Sequence, residues 1–182
     1  MLMKNFFLYS IILYLGVTVL HAQNLSTDLE GTAISFKIKN LGLTVDGTFS
    51  EFKVEANFDE ANLQDSYFVG SAVVKSIDTG IEARDNHLQK DDYFHMEQFP
   101  EIELKSDKLK KLKDNQYEFT GQLSIKGKTK TIVFPISVER TGNSLIAKGN
   151  FEINRLDFKV GKSSWVLKKK VKVSIAYKGN FN

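Results

Sequence analysis

The chain has 182 residues, 12% aromatic and 26% charged, with a formal net charge of +3 and no cysteine. A charge so close to balance argues against nucleic-acid binding by bulk electrostatics. The missing cysteines exclude disulfides, thiolate nucleophiles and cysteine lipidation.

Lys4 precedes an uncharged run from Phe6 to Leu20 that ends in Leu20-His21-Ala22. The run is shorter than the ~20 apolar residues of a spanning helix, and its flanks are those of a secretory signal peptide cut after Ala22. The expected division is therefore a signal peptide at 1–22 and one periplasmic or secreted domain at 23–182, with no integral membrane segment after cleavage. The remaining 160 residues carry a formal charge of +2, and that length suffices for a single core.

Beyond the leader, apolar residues recur with period two, the spacing of strands with one buried face. Ile34, Phe36 and Ile38 open the pattern. Val45, Gly47 and Phe49 continue it, and the phase then flips to Phe52, Val54, Ala56 and Phe58, which predicts a bulge or bend near Ser50-Glu51. Residues from Tyr67 to Ile77 are apolar on both faces in places, as in a strand covered on both sides.

Thr79 to Lys90 breaks the alternation with Glu82, Ala83, Arg84, Leu88 and Gln89, which predicts one short helix that Asp78 or Thr79 could cap. Ile102 and Leu104 resume the strands, followed by Tyr117 to Ile125 and Ile132 to Val138 around a hairpin at Lys126-Gly127-Lys128. Pro135 places its strand at an edge or a bend. Leu145 to Ile153 and Val171 to Tyr177 complete the set, with a loop expected from Arg155 to Leu167. About eight strands at this spacing predict an all-β antiparallel barrel or sandwich.

Lysines cluster at Lys105 to Lys113, Lys126 to Lys130 and Lys168 to Lys170, where they read first as solubility or edge protection and second as contacts for an anionic partner. After leader removal only His87 and His95 remain as histidines, at a spacing that fits no standard zinc motif, and no glycine-rich phosphate loop is present. An enzyme is not expected, nor is a metal.

Three groups of residues carry a family resemblance. Ile77-Asp78-Thr79-Gly80 leads into Arg84-Asp85-x-His87-Leu88, then Asp92-Tyr93-Phe94 and Phe99-Pro100. Gly121-x-Leu123-x-Ile125-x-Gly127-x-Thr129-Lys130 and Ile153-Asn154-Arg155-x-Asp157-Phe158 follow in order. Together they resemble the YceI-like family, periplasmic and secreted proteins described as polyisoprenoid-binding. The resemblance implies a lipocalin-like antiparallel barrel of about eight strands with one short helix, and an apolar tunnel for a long-chain isoprenoid, quinone or related amphiphile. It also favours a homodimer. The chain departs from many members in having Gly31-Thr32 and Asn40 where histidines are common, and Lys159 where a glycine is common after the late aspartate-phenylalanine.

Within that expectation Phe36, Phe49, Phe119, Phe134, Phe151 and Phe158 either line a tunnel or fill a core. Tyr93, Phe94 and Phe99 are expected to seal the helix onto a barrel end, with Trp165 a further amphipathic contact. Arg84 could grip head-group oxygens or form a structural ion pair with Asp85. His87 could donate to a carbonyl or phosphate, or simply be hydrogen-bonded locally. Arg155 and Asp157 read as a second structural pair. A tail arriving from a membrane exchanges one apolar medium for another, so selectivity rests on shape and head group, which suits storage or shuttling better than catalysis. The alternative is a filled, ligand-free barrel serving as an interaction module in cell-envelope or stress physiology.

Overall fold

The computed structural model describes residues 24–181, so the expected leader at 1–22 lies outside the described residues. Among these residues eleven strands are present: β1 (Asn24–Thr27), β2 (Ala33–Asn40), β3 (Leu43–Phe49), β4 (Phe52–Asn57), β5 (Tyr67–Val73), β6 (Ile77–Asp78), β7 (Glu101–Lys113), β8 (Gln116–Ile125), β9 (Lys128–Thr141), β10 (Ser144–Asn154) and β11 (Leu167–Phe181). The helix α1 spans Glu82–Leu88, and short 3₁₀ turns cover Val74–Ser76 and Arg155–Phe158.

Every strand pairing is antiparallel, and β1 joins both β4 and the C-terminal end of β11. That double pairing closes a ring of β1, β4, β5, β7, β8, β9, β10 and β11, an eight-stranded barrel. Closure removes the exposed edges of an open sheet. A flap of β2, β3 and β6 extends the wall from the N-terminal part of β11.

The phase flip at Ser50-Glu51 is a full change of partners. Before it, β3 pairs with β2 and β6; after it, β4 pairs with β1 and β5. The hairpin between β8 and β9 has both turn residues left-handed, Lys126 at φ 49° and Gly127 at φ 66°, the geometry that matches strand twist in a two-residue loop. Pro135 pairs with Glu118 of β8, one residue beyond the last β9–β10 partner, Ile136. There β9 has no pairing with β10, and the missing N–H costs that side nothing.

One expectation needs correction, and two stretches of strand were not predicted. Residues 105–113, read from the sequence only as a lysine cluster, are the continuation of β7, interrupted by register shifts between Ser106 and Lys108 and between Lys111 and Lys113. Each shift resets which face a side chain occupies, so only Ser106 and Leu109 of this stretch are buried and the alternation disappears from the sequence. Neither Asp78 nor Thr79 caps α1: its N-cap is Ile81, with no side-chain cap bond, while Asp78 accepts from the Gly80 amide at 2.7 Å. The closing strand β1 carries too little alternation to be recognised in the sequence.

One end of the barrel is packed solid by Phe58, Leu109, Tyr117, Leu145, Tyr177 and Phe181, with the Arg140 guanidinium 4.0 Å above the Phe181 ring. At the opposite end Leu123, Ile125, Phe158 and Val160 form a second cluster, against which Tyr93 and Phe94 pack. Phe49, Ala72 and Ile77 form a third, reached by Leu88 of α1.

Candidate functional site

Between these clusters lies a cavity of about 300 Å³, at the lower end of the ~300–1,000 Å³ of small-ligand sites. Its walls come from the inward positions of the barrel strands, from the β2–β3 flap and from α1. Ile34, Ile38, Val45, Ile102, Leu104 and Val173 supply much of the aliphatic lining.

Phenylalanines line this space without blocking it because several lie flat against glycines. Phe36 pairs across the flap with Gly47, and a Cβ on that glycine would collide with the Phe36 ring. Phe134 covers Gly149 in the same way. The rings of Phe119, Phe134 and Phe151 form a row with centroids 4.8 and 4.4 Å apart.

Thr79, Arg84 and His87 bring polar groups to the cavity from the α1 segment. Arg84 donates from Nε to Thr79 Oγ1 at 2.7 Å and from Nη2 to the Thr79 carbonyl at 2.6 Å. Asp85 accepts from the Thr79 amide at 3.0 Å and from the Thr79 hydroxyl. The two side chains therefore share one threonine instead of forming an ion pair with each other, a correction to the sequence-based pairing. His87 Nε2 lies 2.9 Å from Asp92 Oδ2, and its ring meets Tyr93 edge-on at 5.1 Å.

Arg155 is the residue that sequence reasoning undervalued. It lines the cavity yet is only 3% exposed. Its guanidinium has no carboxylate partner among the described residues; it donates to the carbonyls of Lys168, Val160, Lys162 and Leu167 at 2.7 to 3.2 Å. Asp157 bonds to Asn154 instead, so the expected Arg155–Asp157 pair does not form. Burial pulls the Arg155 pKa below its ordinary value, yet carbonyl dipoles converging on the fork keep the cation solvated. The carbonyls it gathers hold the 159–166 loop and the start of β11 against the barrel. Lys126 adds a second tie, donating to the carbonyls of Asp91 and Lys159. Lys159 adopts φ 56°, the left-handed conformation that accounts for glycine at this position in the resemblance.

Of the residues expected to meet ligand, Phe36, Phe49, Phe119, Phe134, Phe151, Arg84, His87, Tyr93 and Phe94 line the cavity. Four do not. Asp85 is occupied with Thr79, and Phe99 covers Gly127 at the hairpin turn. Phe158 is 2% exposed in the end cluster, whereas Trp165 is 87% exposed on the outer surface. Among the described residues no group of three or more His, Asp or Glu is placed to hold a metal, and no helix is long and apolar enough to cross a membrane.

Residues 25–178 match the family model for the YceI-like domain. The chain belongs to the YceI-like family. Its curated relatives include a UPF0312 protein of Photorhabdus laumondii, 35% identical over 115 residues, or 62% of this chain and 59% of that protein. A UPF0312 protein of Staphylococcus epidermidis is 36% identical over 104 residues, 57% and 58% of the two chains. The chain thus spans less than two thirds of the length of these relatives. Among solved structures, Burkholderia cenocepacia BcnA superposes with a TM-score of 0.80 at 25% identity, over 84% of this YceI-like chain and 99% of BcnA. A polyisoprenoid binding domain from Saccharophagus degradans shares the fold, with a TM-score of 0.71 at 14% identity over 89% of this chain and 100% of that domain.

Proposed function

We propose that this YceI-like barrel binds, stores or carries an amphiphile with a long apolar tail, an isoprenoid lipid or quinone-like molecule, outside the cytoplasm. The observation that carries this reading is the cavity itself: aliphatic and aromatic walls begin at a solidly packed barrel end and run to a few polar side chains, among them Thr79, Arg84 and His87 from one helix segment. An apolar space with few convergent polar groups is built to hold an apolar body and orient one polar end. Arg84, whose Nε and Nη2 are engaged by Thr79, offers Nη1 to a head-group oxygen, and His87 stands beside it. The polyisoprenoid-binding description of the Saccharophagus domain supports the same class of ligand.

Holding is favoured over chemistry, since the lining is mostly aliphatic and aromatic with few polar groups. With residues 1–22 acting as a cleaved leader, residues 23–182 form the working protein in the periplasm or beyond. Purification from a native envelope, organic extraction and mass spectrometry test the proposal. A near-stoichiometric lipid with a long tail is the expected result, and protein that is lipid-free and also fails to take up isoprenoid or quinone probes would sink it.

A further inference from the structure

The outer surface beside the 159–166 loop collects exposed apolar groups and lysines. Trp165 is 87% exposed, Leu41 67% and Leu43 74%. They are neighbours in space: the Leu41 amide donates to the Val166 carbonyl at 3.0 Å, and Asn40 is the strand partner of both Leu43 and Leu167. Trp165 and Ser164 share a surface groove with Lys37, Lys39, Lys168 and Lys169.

Lys170 and Lys172 border the same groove. Lys37 is paired with Asp46 and Lys170 with Glu152. Lys39, Lys168, Lys169 and Lys172 have no carboxylate partner among the described residues, so the surface carries net positive charge. Exposed apolar side chains at the β2–β3 turn and the adjoining loop, collared by ammonium groups without carboxylate partners, are unfavourable facing water. Both features are satisfied at one kind of surface. Tryptophan and leucine enter the boundary between head groups and acyl chains, and lysines lay their stems along it with the ammonium at phosphate level.

We propose that this end of the barrel docks onto an anionic phospholipid membrane through Leu41, Leu43 and Trp165, with Lys39, Lys168 and Lys169 meeting the lipid phosphates. The position bears on the cavity, whose lining includes Asn40 and Leu167, one and two residues from Leu41 and Trp165. Docking does not depend on what the cavity holds, so its test is separate from the extraction of bound lipid.

Trp165 is the only tryptophan, which makes its emission a direct reporter of insertion. Protein lacking residues 1–22 keeps every strand among the described residues and is mixed with vesicles of phosphatidylcholine, with or without phosphatidylglycerol. Co-flotation and a blue-shifted emission are expected only with phosphatidylglycerol, and both should weaken as salt rises. Lys168→Ala and Lys169→Ala should each reduce affinity roughly fivefold, and Leu41→Ser with Leu43→Ser should shrink the emission shift, while far-UV dichroism stays unchanged. No binding, equal binding to neutral vesicles, or binding that survives these substitutions overturns the proposal. So does equal binding to a soluble polyanion such as heparin without an emission shift, which would make the surface a general polyanion site.

Discussion

The ring of Phe134 lies across Gly149: a Cβ at that glycine would stand 2.7 Å from Phe134 Cε2 and 3.0 Å from Ile136 Cγ2. The missing side chain on β10 is what lets an aromatic from β9 lie against the wall instead of crossing the interior. Gly149→Ala forces the ring inward, toward Phe119 and Phe151. The expected cost is about 1–3 kcal/mol of stability from overpacking, together with a clear loss of affinity for a fluorescent long-chain probe. Wild-type probe affinity combined with a wild-type urea midpoint would show that the ring has room to move elsewhere.

Arg155 works by a different logic. Four backbone carbonyls of the 159–168 region and the start of β11 converge on its guanidinium, and a buried acceptor left without a donor costs about 1–3 kcal/mol. Arg155→Met preserves much of the apolar stem and abandons all of these carbonyls. Urea denaturation should show a loss of about 3 kcal/mol or more. Arg155→Lys should recover only part, since a single ammonium cannot span the fork. Equal stability of the Lys variant and wild type would refute the fork as the essential feature.

How much of this could be read from the residues depends on whether a local pattern survived. Tyr117, Phe119, Leu123 and Ile125 face inward without interruption, so their strand was legible. The 105–113 stretch was not, because two register shifts erase its alternation. β1 was illegible because its role, joining β4 to β11, depends on residues far away in the chain. At the site, the inward phenylalanines were recognisable as core or lining, and glycines on neighbouring strands decide between those roles only in three dimensions. Arg155 was visible as a charged residue in a family element, but its partners are main-chain carbonyls, which no side-chain spacing can reveal. Trp165 and Phe158 differ for a similar reason: whether an aromatic in a loop turns inward is settled by the path of that loop.

Thr79 is held by both neighbouring residues of α1, Asp85 through its amide and hydroxyl and Arg84 through its hydroxyl and carbonyl. A seven-residue helix without a capping side chain has little stability of its own, so this shared threonine fixes where α1 sits over the cavity. Asp85→Ala should destabilise the protein by about 1–2 kcal/mol. It should also accelerate release of a preloaded fluorescent lipid, measured by stopped-flow transfer to vesicles. Unchanged release alongside the stability loss would confine Asp85 to folding and remove α1 as a control on exchange.

Tyr177 is 2% exposed and its hydroxyl has no hydrogen-bond partner among the described residues; nearby Thr27 directs its own hydroxyl to the Val54 carbonyl at 2.8 Å. Burial pushes the phenol pKa above its ordinary value of 10.0. A group whose pKa is higher in the folded state binds its proton more tightly there, so its contribution is fully present below pH ~10 and fades as pH rises from the unfolded value through the folded one. Burial shifts Tyr117 in the same direction. Stability should therefore fall above pH ~10. Tyr177→Phe removes a buried hydroxyl that lacks a partner, which should leave stability at neutral pH unchanged or raise it by up to about 1 kcal/mol, and should lessen the alkaline loss without abolishing it. Urea midpoints measured at neutral and alkaline pH distinguish the cases: a marked loss of stability in Tyr177→Phe at neutral pH would mean that the hydroxyl is bonded after all, through a water inside the barrel.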